Sequence, residues 1–190
     1  MLGNYGEIAV IRVKMILCLL LSAPFAIYAA DNAELRSIKE ADQADRRSAS
    51  TPEQWREIMV RDQERRERVL EILRSGQLSS AWDYFNAALV LQHGGSAEDI
   101  RLAHSLSTVA AAIDPEHPRA KWLMAASWDR LMTRMNRPQW YGTQSTRDPS
   151  GKFVLVPVEP DAVSDADRAA LGVPSLAEAQ ERLDARNNNE

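Results

Sequence analysis

The feature that most constrains the fold is the segment RAKWLMAASWDRLMTRM, residues 119–135, which is apolar on nearly every face of a helix. Such a helix is stable in water only when other elements cover it on several sides. We therefore expect it to be the central helix of a mainly α-helical bundle. Asp129 and Arg130 interrupt its apolar surface. Because buried charges need partners, this pair predicts a polar cluster inside the bundle.

Four more helices are expected before this segment, since apolar residues recur there with helical spacing. Thr51, Pro52 and Gln54 form a capping-box start for the second of them. Ser96 and Asp99 mark the start of the fourth. The predicted helices run over about 33–47, 52–74, 78 to the QHGG segment, 97–113 and 119–135.

The period changes after the fifth helix. The segments WYGTQST and GKFVLVPVEP, separated by RDPSG, predict a β-hairpin over about residues 140–158. Two short helices, about 162–171 and 175–186, and a frayed tail at 187–190 complete a single helical domain over residues 30–190.

Residues 1–29 have the pattern of a secretory signal peptide, because Arg12 and Lys14 precede an apolar run that ends in small residues. A retained membrane anchor is the alternative, but the run is shorter than the roughly 20 residues of a spanning helix. We therefore expect an exported protein, periplasmic or extracellular, with no membrane contact after cleavage. Cys18, the only cysteine, lies in this segment, so the mature chain has no disulfide or thiol chemistry.

The net charge of −4 comes from 27 acidic and 23 basic residues that are interspersed along the chain. No basic stripe is present, which argues against nucleic acid as a partner. The expected partner is instead a protein, a peptide or a small polar ligand.

Two similar segments, DQADR and DQERR, place Arg46 four residues after Asp42 and Arg66 four residues after Asp62. On a helix such pairs lie on one face and form weak surface ion pairs. However, both aspartates also continue apolar stripes. The sharper hypothesis is a partly buried carboxylate and guanidinium network between the first two helices.

The three histidines lack the spacing of a metal motif, so we expect neither a metal nor a cofactor. Counting along antiparallel helices places His104 level with Asp129. The two side chains are then expected either to form a structural hydrogen bond between helices or to act as a base oriented by a carboxylate. His93 is expected to cap a helix C-terminus. His117, in a turn, is expected to be exposed to solvent.

The motifs ADQADR, ALVLQHG, WDR and RPQWYGTQ, in this order, resemble a family of functionally uncharacterised bacterial proteins, many of them exported. The resemblance covers about residues 35–183. It implies a mostly helical fold and assigns no catalytic residue. The helix pair over about 78–114 is weakly similar to one tetratricopeptide unit, but a solenoid needs about three such units.

These observations favour a binding module over an enzyme. The candidate ligand-binding residues are Asp42, Arg46, Arg66, Arg130, Gln139, Tyr141 and Gln144, the last three from RPQWYGTQ, which forms a corner between helix and hairpin. The alternative is an acid–base hydrolase that uses His104 or His93 with Asp129 or Asp62. A purely structural docking module is the third possibility.

Overall fold

The computed structural model describes residues 30–189, and the predicted signal peptide lies outside this range. The chain is mainly helical with one small antiparallel hairpin, which confirms the predicted fold class. The elements are α1 (Ala33–Ser48), α2 (Pro52–Arg74), α3 (Ala81–Leu91), α4 (Ala97–Ile113), α5 (Ala120–Arg134), β1 (Ser145–Arg147), β2 (Phe153–Leu155), α6 (Asp165–Ala170) and α7 (Leu176–Asn187).

Local capping explains where most helices begin. Within residues 30–189, a serine or threonine side chain accepts a hydrogen bond from the third residue of α2, α3, α4, α6 and α7, and that residue's side chain bonds back to the cap. This capping box satisfies amide groups that have no partner inside the helix. The predicted caps Thr51 and Ser96 are confirmed, whereas α3 begins at Ala81 rather than near Leu78, because Ser80 and Asp83 form its capping box.

The central helix is α3, not α5 as the apolar run predicts. Helix α3 packs against α1, α2, α4 and α5, and eight of its eleven residues are buried. Two of its three alanines, Ala87 and Ala88, are fully buried. Helix α5 packs mainly on α4, and a loop covers part of its other side, where Trp128 lies 4.8 Å from Trp140 between ring centroids.

The hairpin is shorter than predicted, with Ser145 opposite Leu155 and Arg147 opposite Phe153. The predicted frayed tail at 187–190 is wrong at its first residue. Asn187 is the last residue of α7, where its side chain accepts from the Phe153 amide and donates to the Phe153 carbonyl. These two bonds tie the last helix to the hairpin. In the described part of the chain, no helix is long and apolar enough to span a membrane.

Candidate functional site

A charged network joins α1 to α2, as the sharper hypothesis predicts. Arg46 lies 3.4 Å from Asp42 within α1 and 2.6 Å from Asp62 on α2. Arg65 bridges Asp62 and Asp45. The network alternates in sign, so its charges largely neutralise one another.

Arg66 does not belong to this network. Its Nε lies 3.6 Å from Oδ1 of Asp99 at the start of α4. The expected pairing of Asp62 with Arg66 is therefore wrong. The neighbouring residue, Arg65, points towards α1 and takes that place, because one helical step of 100° separates the two side chains.

His93 joins the same network just after the end of α3. Its Nδ1 lies 3.1 Å from Oδ1 of Asp42, which is fully buried. The predicted role of a simple helix cap is thus wrong. Because an ionised carboxylate can only accept, the His93 Nδ1 carries the hydrogen and donates it to Asp42.

The pKa directions agree with this assignment. Burial lowers the pKa of His93, and the positive charges of Arg46 and Arg130 lower it further against the opposing effect of Asp42. Burial tends to raise the pKa of Asp42, but the His93 hydrogen bond and Arg46 outweigh burial and lower it. The pair at neutral pH is a neutral imidazole on a carboxylate. Its Nε2 lone pair has no hydrogen-bond partner among residues 30–189.

His93 lines a polar cleft of about 430 Å³, here called the Arg130 pocket, between the end of α3, the start of α4 and the second half of α5. Gln144, from the loop before β1, lines it as well. The complete lining is His93, Gly94, Ile100, Arg130, Thr133, Arg134, Asn136 and Gln144.

Arg130 is the unusual charge in this pocket. Its Nε is buried and has no hydrogen-bond partner, and no carboxylate pairs with its guanidinium among the described residues. Burial, followed by the charges of Arg46 and Arg134, lowers its pKa, although an arginine stays protonated in proteins. Arg134, which also lines the pocket, likewise has no ion-pair partner in the described range. The pocket therefore holds two arginines without an ion-pair partner among residues 30–189, Arg130 partly buried and Arg134 exposed.

A larger cleft of about 550 Å³ lies beside Trp122. Its arginines have neighbours, since the Arg119 guanidinium stacks 4.3 Å from the Trp122 ring and Glu178 lies near Arg182. Among the described residues, the arginines of this cleft thus have a ring or a carboxylate nearby, unlike Arg130.

Asp129 is a structural residue and does not reach His104. Its buried carboxylate accepts hydrogen bonds from the backbone amides of Trp140, Tyr141 and Thr143 and from the Thr143 hydroxyl, at 2.8–2.9 Å. The predicted contact between His104 and Asp129 is wrong. His104 Nδ1 lies 3.0 Å from the Met124 carbonyl oxygen instead.

The RPQWYGTQ segment is mostly a closed corner. Gln139 is fully buried, where its amide donates to the carbonyls of Gln144 and Val156 and accepts from the Gln144 amide. Arg168 of α6 donates to the carbonyls of Trp140 and Tyr141. Gln139 and Tyr141 are thus outside the Arg130 pocket, and Gln144 is the residue of this segment that borders it.

His117 is buried, contrary to the prediction of an exposed turn. Its Nδ1 accepts hydrogen bonds from the amides of Arg119 and Ala120, so its imidazole caps the start of α5. Trp82 and Phe85 pack on its ring. Its burial thus involves contacts with α3 that are distant in the sequence.

The structure brings together three predicted residues, His93, Arg130 and Gln144, with Asp42 and Arg46 behind them. Asp62 does not line the pocket but forms an ion pair with Arg46. The remaining predicted residues lie outside the pocket: Arg66, Gln139, Tyr141, His104 and Asp129. The sequence interpretation missed Arg134, Thr133 and Asn136. Arg134 follows Arg130 by four residues on one helix face, a spacing that the sequence contains.

No family model, curated protein or solved structure matches this chain. The motif-based family resemblance therefore remains a prediction. Among residues 30–189 no cluster of three histidine, cysteine or carboxylate side chains has the arrangement of a metal site. The chemistry of the site thus has to be inferred from the Arg130 pocket itself.

Proposed function

We propose that this protein is a binding protein for a small anionic ligand, which occupies the Arg130 pocket. The observation that carries the proposal is the Arg130 guanidinium, which lines the pocket without a carboxylate partner in the part of the chain that the structure describes. A partly buried charge without a counter-charge is costly for the folded protein. A bound carboxylate or phosphate group supplies that counter-charge through charge-assisted hydrogen bonds.

The surrounding network supports this proposal. Asp42, Asp45 and Asp62 are already engaged by Arg46, Arg65 and Arg61. Their carboxylates are therefore not available to Arg130, and they hold Arg46 in place behind the pocket. Arg130 and Arg134 line the pocket without an ion-pair partner among residues 30–189, which favours anions over neutral ligands.

The test compares anion binding in wild type and in Arg130→Gln by calorimetric titration of the full chain with phosphate, sulfate and succinate. We expect the variant to bind about tenfold more weakly or worse, which corresponds to roughly 1.4 kcal/mol. Arg101→Gln is the matched control, because Arg101 is exposed on α4 and outside the pocket lining. Equal affinities in wild type and Arg130→Gln contradict the proposal.

An acid–base enzyme is the second candidate, favoured by the His93–Asp42 pair at the pocket. An imidazole oriented by a carboxylate is the arrangement of a general base. The test is hydrolysis of an anionic ester such as p-nitrophenyl phosphate, with His93→Gln as the variant. Turnover by the wild type that is lost in His93→Gln supports this candidate. If the wild type shows no turnover, the enzyme is contradicted and the binding-protein proposal is retained.

We also propose that the ligand is bound outside the cytoplasm, on the basis of the signal-peptide pattern in residues 1–29. The mass of the protein recovered from a periplasmic or culture fraction tests export. Loss of about the first 29 residues is the expected result.

A further inference from the structure

We infer that the ligand of the Arg130 pocket is a hydroxy anion, that is, a carboxylate or phosphate compound that carries a hydroxyl group as a hydrogen-bond donor. This inference rests on the proposed function and specifies its ligand. It follows from the acceptors that line the pocket beside the two arginines.

The first acceptor is Nε2 of His93. The Nδ1–H of this ring is committed to Asp42, which leaves Nε2 as a lone pair without a donor from the described residues. Asp42 is itself saturated, because Arg46 and the Gln43 amide also contact it. The carboxylate therefore fixes the imidazole in the tautomer that accepts at the pocket.

The second acceptor is the side-chain oxygen of Gln144. The Gln144 amide donates its hydrogens to the Ala126 carbonyl and the Thr143 hydroxyl. The Thr143 hydroxyl hydrogen is in turn used by Asp129, so this orientation of the amide is determined by its neighbours. Oε1 of Gln144 is thus the polar atom of this side chain that has no partner within residues 30–189.

Thr133 adds a third acceptor. Its hydroxyl donates to the Arg130 carbonyl, so only its oxygen lone pairs remain for a ligand. The pocket consequently combines guanidinium donors with oxygen and nitrogen acceptors. An anion without a hydrogen-bond donor pairs with the arginines but displaces water from the acceptors. Because those acceptors are then left without hydrogen bonds, binding is weaker.

The donor is a hydroxyl rather than an ammonium. Arg130, Arg134 and Arg46 all lie near the pocket, and the charge of Arg46 reaches both His93 and Arg130. A cationic donor meets like charges there, whereas a hydroxyl adds no charge. Hydroxy acids and hydroxyalkyl phosphates share the required chemistry.

The experiment measures affinities for pairs of anions that differ by hydroxyl groups. Malate against succinate and lactate against propionate form the carboxylate arm, and glycerol 3-phosphate against propyl phosphate forms the phosphate arm. We expect the hydroxylated member of at least one arm to bind about tenfold more tightly. The arm with the larger preference identifies the anionic group.

Two variants test which atoms carry the preference. His93→Phe and Gln144→Met each remove an acceptor, and the ratio of affinities within a pair is expected to fall towards one. Gln63→Met is the control, because Gln63 is exposed on α2, where its side-chain amide donates to Glu67. The ratio is independent of any overall loss of affinity, and the wild-type comparison stands even where a variant is poorly folded.

The outcomes separate the two proposals. Anions that bind with equal affinity with and without the hydroxyl overturn this inference and leave the proposed function intact. Aspartate that binds more tightly than malate also overturns it, because the donor is then an ammonium. No detectable binding of any anion overturns the proposed function itself.

Discussion

His93 Nδ1 and Asp42 Oδ1 lie 3.1 Å apart, although 51 residues separate them in the chain. The contact joins the end of α3 to the middle of α1 and connects the Arg130 pocket to the charged network between α1 and α2. It also decides which ring nitrogen of His93 is available at the pocket.

The first prediction concerns the pKa of His93. Replacing Asp42 with Asn removes the negative charge that raises this pKa, while burial, Arg46 and Arg130 continue to lower it. We expect the pKa of His93 to fall further in Asp42→Asn, measured by NMR titration of the imidazole protons. A pKa that stays the same or rises contradicts the assigned pair.

The second prediction concerns stability at mildly acidic pH. Burial is the main cause of the lowered pKa of both His93 and His117, each below the reference value of 6.5. Between the folded pKa and 6.5 the unfolded chain binds more protons, so the free energy of unfolding falls as the pH drops below about 6.5. Asp42 does not contribute in this pH range, because its pKa is lowered from 3.8 and its protonation affects stability only at lower pH.

Urea unfolding at about pH 7.5 and about pH 5.5 checks this prediction, since the linkage slope reports the proton difference. His117→Asn is the informative variant, because an asparagine oxygen can still accept the amides that start α5. A smaller loss of stability on acidification is expected in this variant. An unchanged loss excludes His117 as a contributor.

The third prediction concerns Arg130 and stability. Its Nε is buried and has no hydrogen-bond partner among the described residues, which destabilises the unliganded fold. Arg130→Met keeps most of the side-chain volume and removes the charge, so we expect the free energy of unfolding to rise by about 1 kcal/mol while anion binding is lost. Thermal unfolding and ligand titration of the same sample measure both effects. A destabilised variant indicates that Arg130 contributes to the fold.

The fourth prediction concerns Asp129, which accepts four hydrogen bonds from the loop before β1. In Asp129→Asn one acceptor oxygen becomes an amide that opposes another donor. We expect a loss of about 2–4 kcal/mol in the free energy of unfolding, measured with urea. Asp161→Asn is the control, because Asp161 is exposed and its positive φ of 58° suits asparagine. Equal stability of the two variants contradicts the structural role of Asp129.

The fifth prediction compares two adjacent glycines. A Cβ on Gly94 overlaps the Asp99 Cβ, whereas a Cβ on Gly95 meets no atom within 4 Å. Gly94→Ala must therefore shift the start of α4 beside the Arg130 pocket, and we expect it to lose about 1–3 kcal/mol and to weaken anion binding. Gly95→Ala should change stability by less than about 1 kcal/mol. Similar effects of both substitutions contradict this close approach.

The helices and the charged network could be predicted largely from the sequence. Thr51 with Gln54 and Ser96 with Asp99 cap helices through contacts three residues apart, so the signal and the structure lie in the same few residues. The inward turn of Asp42 and Asp62 also follows from the periodicity of the apolar residues around them.

The partners of the buried polar groups depended on the tertiary structure. Helical periodicity does not determine how each helix rotates and slides against its neighbours, and a shift of one residue turns a side chain by about 100°. For this reason Asp62 pairs with Arg65 and not with the predicted Arg66. For the same reason Asp129 binds loop amides instead of His104, and His117 packs against α3. The sequence by itself determined the helices, the caps Thr51 and Ser96 and the presence of buried charge, because those depend on local contacts. Only the packing of distant segments decided which charges were neutralised, and it left Arg130 without an ion-pair partner within residues 30–189.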